Sequence, residues 1–63
     1  MEVGDLIKRR NNGDLAIVLR VFKEKEVPSA VVRKQGFMEI VRLSCGNIQH
    51  VWDYEYEVIN ENR

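Results

Sequence analysis

The one cysteine, Cys45, and the one histidine, His50, are the residues whose types suit nucleophilic catalysis. An imidazole can draw the proton from a thiol, provided the two lie within hydrogen-bond reach and a third group orients the ring. Both fall in what reads as a hairpin: residues 37–45 and 48–52 flank Gly46-Asn47, a pair suited to a two-residue primed turn. That turn pairs Cys45 with Ile48, Leu43 with His50 and Val41 with Trp52. It makes Cys45 a diagonal neighbour of His50 at roughly 7–8 Å, beyond reach, with no third group beside the ring. The same pair is too few ligands for zinc, which takes four, or three and a water. Asp53, Glu55 and Glu57 supply carboxylates of the type used on glycosides, but a chain this short offers no cleft to raise one pKa. They read as a solvated acidic rim. The expectation is therefore a protein that is not an enzyme, with no catalytic residue, no metal, no cofactor and no small-molecule substrate.

What remains is binding chemistry. Trp52, Tyr54 and Tyr56 alternate with Asp53, Glu55 and Glu57. Aromatic residues are the usual anchors of protein interfaces, and with a carboxylate rim they suit a cationic partner. A second candidate is the basic set Lys8, Arg9, Arg10, Arg20 and Lys23, which could meet phosphates. Zero net charge and the lack of aromatics between the basic residues rank it below the aromatic patch.

These residues must be positioned by strands. Residues 3–8 form a short first strand, and residues 9–14 are a polar run containing Asn12-Gly13, which favours a tight turn. Residues 15–22 (LAIVLRVF) are apolar nearly throughout and too short for a typical helix, which suggests a central strand covered on both sides. Residues 23–36 read as an irregular connection with one helical turn or a strand stub. In the hairpin, Val41, Leu43, Cys45, Ile48, His50 and Trp52 share one face by the period of two. That face is taken as core, with Glu39 a mismatch that a bulge would resolve, and the face of Arg42, Ser44 and Gln49 as solvent. Residues 53–56 fit a 3-10 turn and residues 57–59 a closing strand, with residues 60–63 fraying. The expected core is Leu6, Leu15, Ile17, Leu19, Val41, Leu43, Ile48, Trp52 and Val58.

The order of elements is that of an SH3-like barrel: all-β, partly open, about five short strands with one 3-10 turn, a single domain over residues 1–63. At Gly13-Asp14-Leu15-Ala16-Ile17-Val18 the chain also resembles the KOW motif, a basic residue, Gly, two residues, Gly, one residue and Val. Gly13 and Val18 match, Ala16 replaces the second glycine, and Asn12 stands where a basic residue is usual. More loosely, V-G-D-L-I, a Gly-led apolar strand and G-x-I-x-x-V-W-x-x-E-x-E-V-I look like small uncharacterised proteins of tailed phages, especially those of marine cyanobacteria. The KOW resemblance implies a nucleic-acid or transcription-complex binder. The aromatic-and-acidic patch is similar to those of Tudor-like barrels.

The totals agree with a small interaction domain. A 63-residue chain holds one thin core, one cysteine fits a reducing compartment, and neither a signal-type N-terminus nor a membrane-length apolar run is visible. Residues 1–36 carry eight Lys/Arg against five Asp/Glu, residues 37–63 two against five. The expectations are a cytoplasmic (for a phage protein, host-cytoplasmic) protein-interaction module with a protein partner, no membrane, and self-association as a homodimer through Tyr54 and Tyr56. A nucleic-acid role ranks second and a structural virion subunit third.

Overall fold

The computed structural model describes residues 1–60, so the fraying expected at the C-terminus lies, for residues 61–63, outside the described residues. Five strands, β1 (Leu6–Arg9), β2 (Leu15–Val21), β3 (Phe37–Arg42), β4 (Ile48–Trp52) and β5 (Tyr56–Asn60), form one antiparallel sheet in the order β4-β3-β2-β1-β5. The sheet does not close: β4 and β5 are its edges, bridged by a 3-10 turn over Asp53–Glu55. A second 3-10 turn, Glu24–Glu26, follows β2, and residues 27–36 contain no strand. Asn60 is not frayed but ends β5, paired with Leu6.

Both loops at one end of the sheet have the same construction. In the β1–β2 loop the Arg9 N–H donates to Asp14 O and the Gly13 N–H to Arg9 O, each at 2.8 Å. In the β3–β4 loop the Arg42 N–H donates to Asn47 O at 2.9 Å and the Gly46 N–H to Arg42 O at 2.7 Å. Gly13 and Gly46 take φ of 78° and 72°, the left-handed region that costs a side chain about 1–2 kcal/mol. The sequence writes this twice, as R-x-x-x-G-[D/N], from Arg9 and from Arg42. The loops lie side by side, joined by Arg42 to Asp14 at 2.6 Å and by the Leu43 N–H to Leu15 O at 3.0 Å.

The two-residue turn at Gly46-Asn47 is therefore corrected to a five-residue connection, residues 43–47, and the hairpin register moves with it. Ile48 pairs with Val41, His50 with Glu39 and Trp52 with Phe37. The shift is even, so Val41, Ile48, His50 and Trp52 still share a face, but that face is outside. The core is the other side: Ile7, Ala16, Val18, Met38, Ile40 and Tyr56, with Met1, Val51 and Val58 packed against it. Of the expected core, Leu15, Leu19, Leu43 and Ile48 are exposed, while Leu6, Ile17, Val41, Trp52 and Val58 are half-buried. The polar residues that marked the true core side as solvent sit at its margins, Gln49 on an edge strand and Arg42 reaching Asp14 at the loop end. Glu39 needs no bulge to leave the core because it already points outward with His50. A bulge does occur opposite it, in β2 between Val18 and Arg20.

Candidate functional site

Apart from the main core cluster, Phe22, the buried Phe37, His50 and Trp52 form a ring cluster at the far end of β3 and β4. Phe37 lies 5.4 Å from Phe22, 5.6 Å from His50 and 5.1 Å from Trp52, the last edge-on. Edge-to-face and tilted pairs at this spacing are favourable because a positive ring edge meets a negative ring face. Arg20 covers Phe22 from outside, its guanidinium carbon 4.5 Å from the ring centre. The cluster forms a rigid backing for Trp52, which is the chain's one tryptophan.

On the other side of Trp52 lies an open pocket of about 410 Å³ lined by Ala30, Val31, Val32, Arg33, Trp52 and Tyr54. The connection that supplies four of these residues is pinned locally. Val27 is buried, and the carbonyl of Pro28 accepts from the Val31 N–H at 3.0 Å and from Lys34 Nζ at 2.9 Å. The Trp52 indole N–H donates to Arg33 O at 3.2 Å, and Arg33 Nε donates to Gln35 O at 3.1 Å. The Arg33 guanidinium then lies 4.9 Å from the centre of the Tyr54 ring. An outside cation would compete with one that the chain itself provides, so what the pocket offers a ligand is chiefly apolar wall. At its lip Val32 is 98% exposed and Tyr54 59%.

Of the aromatic trio, Trp52 and Tyr54 thus meet in one site and Tyr56 does not. β5 begins at Tyr56, which is turned into the core and 3% exposed, so the expected dimer contact through Tyr54 and Tyr56 loses its second ring. Burial, and secondarily the Glu55 charge, hold the Tyr56 hydroxyl above its ordinary pKa, against the pull of Arg9 and Arg42. A group whose folded pKa is raised contributes stability below its unfolded value, near pH 10 for tyrosine, and loses it as pH rises through the folded value. Denaturant midpoints should accordingly fall from about pH 10 upward, with a shallower fall in Tyr56→Phe. Equal slopes in parent and variant would assign the alkaline loss elsewhere.

The acidic rim and the basic set meet in two ion pairs, and Arg20 pairs with Glu26 instead. Lys8 lies 3.7 Å from Glu57, Arg9 3.9 Å from Glu55 and Arg20 2.8 Å from Glu26. Glu26 is held below its ordinary pKa first by the Lys23 backbone N–H, then by Arg20. The basic and acidic halves of the sequence meet within one chain, leaving Arg10 and Lys23 exposed on either side. Exposed pairs like these contribute little to stability; their larger effect is to weaken the positive potential a phosphate backbone would meet. Asp53 stands apart, beside Gly36, whose carbonyl accepts the Asp53 N–H at 2.8 Å.

His50 is oriented after all, by Glu39 Oε2 at 3.1 Å from its Nε2. Cys45, exposed in the loop between β3 and β4, is not part of that pairing. Among the described residues no three of His, Cys, Asp and Glu converge as a metal site requires, and no helix is long and apolar enough to cross a membrane. Comparison with family models, with curated proteins and with solved structures finds no match to this chain.

Proposed function

We propose that this chain is a non-catalytic interaction module that receives an apolar side chain of a protein partner between Trp52, Tyr54 and the 30–33 segment. The observation that carries this reading is the pocket itself: aromatic and aliphatic walls, a lip formed by Val32 and Tyr54 in water, and rigid backing from the Phe22–Phe37–His50 cluster. Interfaces draw most of their energy from a few such anchor pockets, where burial is deep and the surroundings exclude water. Preformed walls reduce the entropy lost on binding. The Arg33 guanidinium already lies on Tyr54 and the indole N–H is already bonded to Arg33 O, so the apolar walls favour an apolar anchor.

Peptides selected from a random display library on the parent protein provide the test. They should share an apolar or aromatic anchor, shift the emission of Trp52, and bind Tyr54→Ala and Val32→Asp at least about tenfold more weakly, which is about 1.4 kcal/mol. Both substitutions are at exposed positions, so circular dichroism should match the parent. Peptides that bind the variants undiminished, or a chain that yields no peptide but binds an oligonucleotide with steep salt dependence, would overturn the reading and promote the basic loop.

A further inference from the structure

The outer side of the sheet carries apolar surface that the pocket does not use. Ile48 of β4 pairs with Val41 of β3, Val41 with Ile17 of β2, and Ile17 with Leu6 of β1, so four strands contribute one unbroken apolar row. Leu15 flanks it on β2, and Leu43 follows in the adjoining loop, bonded through its N–H to Leu15 O. Ile48 is 61% exposed, Leu43 52% and Leu15 39%. Monomeric soluble proteins rarely leave contiguous apolar areas of more than a few hundred Å² in water.

We propose that this row is the contact surface of a homodimer, two copies packing outer face to outer face. The charges bordering the row select the occupant. Lys8 is paired with Glu57 on the β1–β5 side, and Glu39 with His50 in the next row of β3 and β4. Among the described residues the border thus carries both signs, with no cluster of one sign. It presents no concentration of positive charge to draw a phosphate backbone or an anionic bilayer. A second copy meets it with the same apolar row, which is the self-complementarity a two-fold interface requires. Stacked sheets sit about 10 Å apart with their inner side chains interdigitated, so a branched row such as Ile48, Val41, Ile17 and Leu6 suits a second sheet.

Size points the same way. A standard interface takes about 800 Å² from each partner, a large share of this chain's 4329 Å², and a sheet face is the kind of surface that supplies it. The polar row Glu39–His50 lies between the apolar row and the Phe37–Trp52 pair. The dimer therefore leaves the Trp52–Tyr54 pocket free, and the two surfaces are separable by mutation.

Sedimentation equilibrium across a concentration series tests the proposal on the full chain. The parent should approach the mass of two 7.4 kDa chains at high micromolar concentration, with little change on added salt. Ile48→Asp places two carboxylates in the interface, one from each copy, and should weaken association on the order of a hundredfold or more. Ile48→Ser should weaken it less. Both lie on an exposed edge-strand position, and circular dichroism confirms that the fold is retained. Val32→Asp and Tyr54→Ala, at the pocket, should leave the dimer intact. A single-chain mass in the parent, a dimer that survives Ile48→Asp, or one abolished by Val32→Asp would each overturn the proposal.

Discussion

Replacing Ile40 with alanine is expected to destabilise the fold by about 2–5 kcal/mol, enough to leave much of the protein unfolded at ambient temperature. Ile40 is fully buried in β3, paired with Val18 across β2 and with Gln49 across β4. The cost combines lost transfer energy with a cavity that a tightly packed neighbourhood only partly refills. Sixty-three residues support about 3–9 kcal/mol in total, so one such deletion is comparable with the whole margin. Leu43→Ala, in the exposed loop, should by contrast stay within about 1 kcal/mol when measured below the concentration of any dimer. Urea denaturation of the two variants separates the alternatives. If Leu43→Ala were the damaging change and Ile40→Ala the mild one, the sheet would have to be turned inside out.

That contrast shows where the sequence could be read and where it could not. The β4 boundaries, the start of β2 and the 3-10 turn at Asp53 follow from local signals: a strand-like run after Gly46-Asn47, a β-branched stretch after Gly13, an acidic run after Trp52. The choice of inner face does not. In β2 both alternate sets are mainly apolar, Leu15, Ile17 and Leu19 against Ala16 and Val18, and in β3 each set carries one charge, Phe37, Glu39 and Val41 against Met38, Ile40 and Arg42. Alternation discriminates faces only when one set is polar. Arg42, Ser44 and Gln49 suggest that their side faces solvent, whereas the Ile7–Ala16 and Val18–Ile40 pairs place that side inside.

The loop repeat is a stronger signal than the Gly46-Asn47 dipeptide. The spacing from Arg9 to Gly13 equals that from Arg42 to Gly46, and a matched pair of loops predicts the five-residue connection and the register of both hairpins. At the site, Trp52 and Tyr54 were legible because aromatics in a polar segment stand out. Tyr56 was misplaced because β5 starts one residue earlier than its Glu57-Val58-Ile59 run suggests. Ala30, Val31, Val32 and Arg33 were not legible as pocket wall. They lie in a segment without periodicity, and only the Pro28 carbonyl's two bonds give it a shape.

Gly36→Ala is expected to produce the next largest effect, about 1–3 kcal/mol, and to change the site as well as the fold. Gly36 stands immediately before β3 with φ of 77°, where a side chain is strained whatever space surrounds it. Here space is lacking too: a Cβ at this position would come within 2.6 Å of Asp53 Cγ. The carboxylate is the end of a side chain and can turn away, so the overlap is the smaller part of the cost and the backbone conformation the larger. The Gly36 carbonyl also holds the Asp53 N–H at 2.8 Å, fixing the first residue of the turn between Trp52 and Tyr54. A strained Gly36 therefore loosens the pocket wall, which Trp52 emission reports independently of global unfolding. The double variant Gly36→Ala/Asp53→Ala apportions the two terms, since removing the carboxylate relieves the overlap and leaves the backbone strain. It should be more stable than Gly36→Ala alone but remain below Asp53→Ala. A Gly36→Ala variant with the parent's stability and emission would show that the connection into β3 takes another path, and would remove the Asp53 turn as a support of the site.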